Sequence, residues 1–265
     1  MDNQQRNIWV LVTGASRGLG QALCVGLAEK FGGDLMLVGM ARSEDGLKKT
    51  AAMVDGANNK TKFIPIVMDL GTADAEGLSS AMEVSFKAEG RSGSPKRALI
   101  IHNAGTLGHL KYLRDQQDLA HATEYFRLNV SSVISLNAIF LDYMRTHHPK
   151  TSLEVVNISS LCALQPFKSW GLYCSGKAAR DMLFRVLAAE EPDVTVLSYA
   201  PGPLDNDMQA TARSATADQE LRSAFASMKD EGKLLSCEES VRKFLRILDA
   251  KKFKSGDHVD YYDEL

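Results

Sequence analysis

A glycine-rich loop connects the first strand and the first helix that the sequence predicts. Residues 8–12 are apolar and rich in β-branched side chains, which is typical of a buried strand. Residues 13–20 follow with glycines at 14, 18 and 20, and apolar residues at helical spacing come next. This order favours a phosphate site, because glycines let the backbone approach a pyrophosphate and the helix N-terminus offers free N–H groups. A tight strand-to-helix turn without a ligand is the alternative.

The alternation of strands and helices continues to the end of the chain. Further strands are predicted at residues 34–40, 63–68, 98–102, 153–158, 194–199 and 259–262, and further helices at 46–54, 75–88, 119–144, 171–191 and 238–248. The polar stretch 89–96 is expected to be a turn, because the alternation resumes at once. We therefore predict an α/β fold: one doubly wound, Rossmann-type parallel sheet over residues 1–265.

Composition narrows the function classes. The chain has 31 basic and 33 acidic residues and no basic run, which argues against a nucleic-acid partner. No apolar run approaches ~20 residues, so we expect no membrane span. Four cysteines without a CxxC spacing or a histidine cluster predict free thiols in a reducing compartment and no metal site. The polar residues 1–7 show no signal peptide, and we expect a cytoplasmic protein.

The end of the second predicted strand bears on the choice of nucleotide. An NAD-preferring domain places an acid there for the ribose 2′-hydroxyl, whereas this chain has Arg42 and Ser43. A guanidinium and a hydroxyl suit a 2′-phosphate, and Arg17 in the glycine loop is a second candidate cation. We therefore expect NADPH/NADP⁺, although Arg42 could also be a solvated surface residue.

Other polar residues follow strands at the same predicted edge, beyond which ligands of parallel sheets bind. Asp69 could accept a hydrogen bond from an adenine amino group or cap a helix beginning near residue 73, and both interpretations stay open. Asn103 precedes small residues that allow close approach to a ligand. The turn Pro201-Gly202-Pro203 is rigid. The polar residues that follow predict a lid over residues 203–235.

Tyr173 and Lys177 lie four residues apart in a predicted helix, hence on one face, and Ser160 lies thirteen residues before Tyr173. An ammonium lowers the pKa of a phenol, and moving that pKa from ~10 to ~7 requires about 4 kcal/mol, so Lys177 would need a second positive charge. Without function, both would be exposed residues of a helix surface. Ser159 is a rival to Ser160, but the spacing favours Ser160. Asn129, among apolar residues, is either a helix-bending residue or a relay group, and the residues alone favour the former.

Residues 171–177 also fit the first seven positions of a P-loop. Ala178 then lacks the hydroxyl that binds Mg²⁺, and no strand leads directly into Gly171, so a kinase or ATPase is disfavoured.

Taken together, these motifs resemble the short-chain dehydrogenase/reductase family over the whole chain. The matching motifs are Thr13-Gly14-x-x-x-Gly18-x-Gly20, Asn103-Ala104-Gly105, Asn129, Ser160, Tyr173-x-x-x-Lys177 and Pro201-Gly202. The resemblance implies that Tyr173 protonates the forming alkoxide, Ser160 hydrogen-bonds the same oxygen, Lys177 lowers the Tyr173 pKa and holds the nicotinamide ribose, and Asn129 positions a water.

The resemblance also implies a nucleotide site and a substrate site. The implied nucleotide residues are Gly14, Ala15, Ser16, Arg17, Gly18, Leu19, Gly20, Arg42, Ser43, Asp69, Leu70, Asn103, Lys177, Leu204, Asp205, Asn206, Asp207, Met208 and Gln209. The implied substrate residues are Ser160, Tyr173, Gly202 and Asp260.

Three stretches, residues 157–168, 199–205 and 255–263, resemble the members of this family that reduce a side-chain ketone of a pterin in tetrahydrobiopterin synthesis. This closer resemblance implies a homodimer built on two long helices. It also implies that residues 255–263 anchor the substrate and that Asp260 holds the guanidine-like edge of the pterin, as a carboxylate can. A general NADPH-dependent carbonyl reductase and a non-catalytic NADP(H) sensor are the alternatives. The Ser160, Tyr173 and Lys177 set argues against the sensor.

Overall fold

The computed structural model describes residues 7–87 and 93–264, and within them it contains one sheet of seven parallel strands in the order β3-β2-β1-β4-β5-β6-β7. The strands are β1 (Ile8–Thr13), β2 (Leu35–Ala41), β3 (Lys62–Val67), β4 (Arg97–His102), β5 (Ser152–Ile158), β6 (Val194–Ala200) and β7 (His258–Asp260). The predicted doubly wound sheet is confirmed. Strand order reverses between β1 and β4, which places a ligand crevice at their carboxyl ends.

Helices cover both faces of the sheet. They are α1 (Gly18–Phe31), α2 (Glu44–Ala57), α3 (Ala75–Lys87), α4 (Leu119–Phe126), α5 (Ser132–His147), α6 (Gly171–Glu190), α7 (Asp207–Ala215), α8 (Gln219–Asp230) and α9 (Cys237–Ala250). Residues 1–6, 88–92 and 265 lie outside the described residues, and with them most of the predicted polar N-terminus, the last residue of the predicted 75–88 helix and the first part of the predicted 89–96 turn.

Strand β1 is buried on both sides. Val10 and Val12 contribute to the core under α1, α2 and α9, whereas Trp9 and Leu11 contribute to the core under α3, α5 and α6. Alternate side chains of a strand point to opposite faces, so a continuous apolar run such as residues 8–12 belongs at the centre of a sheet covered twice.

The predicted helix at 119–144 is interrupted. Helices α4 and α5 are separated by a π-helical turn, Arg127–Ser131, that contains Asn129. The Asn129 side chain donates to the Tyr125 carbonyl (2.9 Å) and accepts from the Thr106 amide (2.9 Å). This buried side chain therefore has a partner on its own helix and one on the neighbouring loop, and single π turns are frequent at functional sites.

In helix α6, the side that is buried is not the side that carries the regularly spaced apolar residues. Ala178, Met182 and Val186 recur at helical spacing and are exposed, whereas Lys177 and Arg180 are buried. The buried face of α6 is turned toward the carboxyl end of the sheet, where polar groups find hydrogen-bond partners. The apolar stripe remains on the surface.

The segment predicted as a lid has a defined base. Leu204 and Leu235 form an isolated parallel β-bridge, in which the Asp205 amide donates to the Leu235 carbonyl (2.8 Å) and the Leu235 amide donates to the Pro203 carbonyl (2.8 Å). Helices α7 and α8 lie between these two points. The two ends of the segment are thus fixed beside β6.

Candidate active site

A cleft of about 630 Å³ opens at the carboxyl ends of β1 and β4. The predicted residues that line it are Gly14, Ser16, Arg17, Gly18, Leu19, Gly20, Arg42, Ser43, Asp69, Leu70, Asn103, Tyr173, Lys177, Leu204, Asn206, Asp207 and Met208. This volume is in the range of cofactor sites, roughly 300–1,000 Å³. The fold therefore brings residues from most of the chain to one crevice.

The glycine loop forms a cradle that side chains would fill. Gly14 has φ +70°, and a Cβ atom on Gly20 would lie 2.1 Å from the Gly14 carbonyl oxygen. The Asn103 amide group donates to the Thr13 carbonyl (2.9 Å), so Asn103 ties β4 to the start of this loop. Helix α1 begins at Gly18 with its first N–H groups at the cleft. The cradle fits a pyrophosphate.

Three basic side chains line the outer end of the cleft. They are Arg17, Arg42 and Lys49. Arg42 is exposed, and its Nη1 lies 3.8 Å from Asp69 Oδ2. Ser43, next to Arg42, caps α2 by accepting from the Gly46 amide (3.1 Å). Sequence reasoning missed Lys49, because its place depends on the packing of α2. Arg17, the second predicted cation, forms an ion pair with Asp207 at the start of α7.

Asp69 does not cap a helix. Its Oδ1 accepts from the Gly71 amide (2.9 Å), whereas α3 begins at Ala75 and Asp74 accepts from the Gly77 amide (2.8 Å) in the capping position. Of the two interpretations of Asp69, helix capping is therefore wrong, and Asp69 remains at the cleft.

Ser160 and Tyr173 meet above β5. Ser160 precedes a short 3₁₀ turn, Leu161–Ala163, where its Oγ accepts from the Cys162 amide (3.2 Å). Tyr173 is buried, and burial raises its pKa above the usual value, while its hydrogen bond with Ser160 and the charge of Arg180 act in the opposite direction. The expectation of a lowered Tyr173 pKa is thus not met by the protein groups alone, because desolvation outweighs the nearby cations.

Lys177 lies beneath the Tyr173 ring. Its Nζ donates to the Ile158 carbonyl (2.7 Å) and is 5.5 Å from the centre of the ring. Burial and the charge of Arg180 lower the Lys177 pKa and the charge of Asp181 raises it, and together they bring this pKa to about 7. The Lys177 side chain therefore gains and loses its proton near neutral pH.

Comparison with known proteins places the chain in a family. A family model described as short chain dehydrogenase matches residues 8–217. The chain belongs to the short-chain dehydrogenase family. It is 48% identical to the sepiapterin reductase of Mus musculus over 256 residues, 96% of each chain, and 45% identical to that of Xenopus tropicalis over 260 residues, 97% of each chain.

A solved structure of a short chain dehydrogenase/reductase from Saccharomyces cerevisiae has the same fold. Its TM-score is 0.81 at 27% identity, covering 96% of each chain. A benzil reductase from Bacillus cereus is 28% identical over 260 residues, covering 95% of this chain and 98% of the relative.

Arg180 is a residue of this short-chain dehydrogenase that sequence reasoning missed. It is fully buried, donates to Asn157 Oδ1 (2.8 Å) and the Ala104 carbonyl (3.1 Å), and also donates to the His102 carbonyl. It thus joins the ends of β4 and β5 beneath the cleft. Its position seven residues after Tyr173, on the same helix face, was the available signal.

Several predicted site residues lie outside the cleft wall. Ala15 is buried and its carbonyl accepts from Thr50 (2.8 Å), Asp205 pairs with Lys229 (2.6 Å), and the Gln209 amide donates to the Phe225 carbonyl (3.1 Å). Gly202, with φ +75°, leaves room for Leu235 and Tyr261, since a Cβ there would lie 2.8 Å from Leu235. For these four positions the geometry gives a structural reason for the residue type.

Proposed function

We propose that this short-chain dehydrogenase reduces the side-chain ketone of a pterin, sepiapterin or 6-pyruvoyl-tetrahydropterin, in tetrahydrobiopterin biosynthesis. The observation that carries the proposal is its match to several sepiapterin reductases, at 43–48% identity over at least 96% of this chain. The juxtaposition of Ser160, Tyr173 and Lys177 supports it, because these side chains are the proton donor and charge stabilisers that ketone reduction requires.

The nucleotide is NADPH in this proposal, and when bound it supplies the hydride. Arg42, Ser43 and Lys49 would hold the 2′-phosphate, and the glycine loop would hold the pyrophosphate. Leu204, Asn206 and Met208 would close the nicotinamide end. The absence of an acid after β2 supports NADPH over NADH.

Tyr173 donates its phenolic proton to the ketone oxygen as charge develops there. Ser160 donates a hydrogen bond to the same oxygen, and the nearby Ser160 hydroxyl already lowers the pKa of Tyr173. Lys177, charged below its pKa of about 7, stabilises the phenolate that remains and binds the nucleotide ribose. Because both groups of the Asn129 side-chain amide are engaged by protein, Asn129 would position its relay water through the backbone.

Asp260 is the proposed anchor for the pterin. Its Oδ1 accepts from the Tyr262 amide (3.0 Å), and among the described residues no hydrogen-bond donor faces Oδ2. A carboxylate held by its own backbone turn, with one oxygen available, can accept from the amino and N–H groups of a pterin edge.

A homodimer built on α5 and α6 and a cytoplasmic location are parts of the same proposal. Ile134 on α5 and Met182 and Val186 on α6 are exposed apolar residues on the two long helices, and a second copy would cover them. In the part of the chain that the structure describes, no helix is long and apolar enough to cross a membrane.

The decisive experiment compares kcat/KM for sepiapterin with kcat/KM for a simple diketone, using NADPH. We expect a clear preference for sepiapterin, and Tyr173→Phe should lower turnover by about 10²–10⁴ while NADPH affinity stays near that of wild type. The match to benzil reductase favours a general carbonyl reductase as the second candidate, and equal kcat/KM for both substrates would support it. Binding without turnover would instead indicate a sensor.

A further inference from the structure

A buried hydrogen bond between two side chains connects helix α6 with the edge strand β7. His258 Nδ1 lies 2.5 Å from Asp181 Oδ2, and the two side chains are 7% and 4% exposed. The other carboxylate oxygen of Asp181 accepts from Ser159 Oγ (2.5 Å) and from Asn157 Nδ2 (2.9 Å). Asp181 therefore joins β5, α6 and β7 through three side chains.

Asp181 and His258 each share a face of their element with residues of the proposed active site. Tyr173, Lys177 and Asp181 are four residues apart in turn, so they share one face of α6. His258 and Asp260 are two residues apart on β7, so their side chains project from the same face of the strand. The Asp181–His258 contact thus connects the face of α6 that carries the proton donor with the face of β7 that carries the proposed anchor.

Strand β7 is held to β6 by backbone hydrogen bonds that include those from Gly256 to the Val196 carbonyl (2.9 Å) and from Tyr261 to the Ala200 carbonyl (2.9 Å), and Gly256 packs closely against Ala188 of α6. The strand is three residues long, pairs with β6 alone, and contributes Val259 to the core. His258 adds a side-chain hydrogen bond to α6. A displacement of β7 by 1 Å would move Asp260 by a similar amount relative to Tyr173, and such misplacement can cost about 10²-fold in rate.

The composition of the pair argues against a purely packing role. His258 Nε2 is buried and has no hydrogen-bond partner among the described residues. A buried polar atom without a partner costs stability, which an apolar residue at this position would avoid. The His258 imidazole thus leaves Nε2 without a partner among the described residues, while Nδ1 hydrogen-bonds Asp181.

We propose that Asp181 and His258 are positioning residues, which set the separation between the substrate anchor Asp260 and the proton donor Tyr173. This inference rests on the proposed function, since Asp260 is an anchor only for a pterin. It assigns a substrate-specific role to two residues that are not among those lining the cleft.

The test uses the full-length enzyme, two substrates and a conservative variant. His258→Leu removes the hydrogen bond and keeps an apolar residue in the site, whereas the amide of His258→Asn can still donate to Asp181 from near the Nδ1 position. Kinetics with sepiapterin and with a simple diketone are measured for wild type, both variants, Asp260→Asn and the His258→Leu/Asp260→Asn double variant. NADPH affinity and melting temperature check that each variant is folded, and Asp181→Asn replaces His258→Leu if the latter fails this check.

We expect His258→Leu to raise the KM for sepiapterin about tenfold or more, with kcat/KM for the diketone within about twofold of wild type. His258→Asn should restore most of the sepiapterin KM. The double variant should be no weaker toward sepiapterin than Asp260→Asn alone, because the two residues act through one contact with the substrate.

Equal losses on both substrates, additive effects in the double variant, or an unchanged sepiapterin KM would overturn the inference while leaving the proposed function intact. A wild-type enzyme without any preference for sepiapterin would overturn the proposed function, and this inference with it.

Discussion

The hydroxyl of Ser159 donates a 2.5 Å hydrogen bond to Oδ1 of Asp181. Ser159 is among the residues that line the cleft and Ser160 is not, but the Ser159 hydroxyl is engaged by Asp181. The Ser160 hydroxyl instead accepts from the Cys162 amide (3.2 Å) and lowers the pKa of Tyr173. Two adjacent serines thus have different partners at the end of β5. This arrangement explains why the spacing to Tyr173 identifies Ser160 as the candidate catalytic residue.

Replacement of the two serines should have different consequences. We expect Ser160→Ala to lower kcat by about 10²–10³, because it removes a donor to the developing oxyanion. Ser159→Ala should mainly lower the free energy of unfolding, by about 1–3 kcal/mol, because a buried carboxylate loses a donor. Steady-state kinetics and chemical denaturation of both variants measure this, and a larger loss of kcat in Ser159→Ala would reverse the assignment.

The buried Lys177 predicts a pH-dependent stability. Its pKa in the folded protein is about 7, below that of the unfolded chain, so the unfolded chain binds more protons between these values and stability rises with pH above 7. In Lys177→Met this gain is absent. The melting temperature of wild type should therefore increase from pH 6 to pH 9 relative to that of Lys177→Met.

The matched control is Lys252→Met, at an exposed lysine, which should follow wild type at each pH. Parallel pH curves for wild type and Lys177→Met would mean that Lys177 keeps its proton throughout this range in the folded enzyme. The comparison uses the pH trend, because the hydrogen bond to Ile158 shifts the absolute stability by about 1 kcal/mol.

Arg42 should determine the preference for NADPH. We expect Arg42→Ala to weaken NADPH binding about 10–100-fold, with little effect on NADH, because a charged hydrogen bond to a phosphate is lost. Fluorescence titration with both nucleotides measures the two dissociation constants. Lys48→Ala is the control, since Lys48 is on α2, which begins just after Arg42, but pairs with Glu44 and does not line the cleft. Equal weakening of both nucleotides would contradict a 2′-phosphate contact.

Cys174 should be the most reactive thiol. The neighbouring Cys162 thiol lowers the Cys174 pKa, whereas burial raises the pKa of Cys24 and of Cys237. Iodoacetamide at pH 7 should therefore label Cys174 first, because the thiolate is the nucleophile. Mass spectrometry after brief labelling between pH 5 and 9 measures this, with Cys174→Ser as the control. A midpoint near pH 8–9 would show that the thiol is unperturbed.

The sheet could be predicted from local runs of residues. Each of the seven strands lies within two residues of its predicted bounds. The central strands β1, β2, β4, β5 and β6 are buried on both faces and are therefore continuous apolar runs between turn residues, whereas the edge strands β3 and β7 are only partly buried. The alternation of strands and helices then predicted which edge of the sheet would bind ligands. Glycine positions and the Tyr173–Lys177 spacing then identified most of the cleft.

The remaining features depend on contacts between distant parts of the chain. His258 meets Asp181 from 77 residues away, and Arg17 meets Asp207 from 190 residues away, with no local pattern to mark either pair. The buried face of α6 could not be found by apolar periodicity, since its buried residues include Lys177, Arg180 and Asp181. The Tyr173 pKa depends on desolvation, which the sequence does not report.

The β-bridge between Leu204 and Leu235 has a consequence for how this enzyme can change over evolutionary time. The chain leaves and rejoins the body of the fold at neighbouring points, so the intervening segment is a cassette whose two ends are held together, and its further contacts include those of the Asp207 and Asp218 side chains. Its length and sequence can vary at little cost in chain entropy and without a shift in the register of β6 and β7. New substrate ranges can therefore arise by exchange of this cassette over an unchanged Ser160, Tyr173 and Lys177.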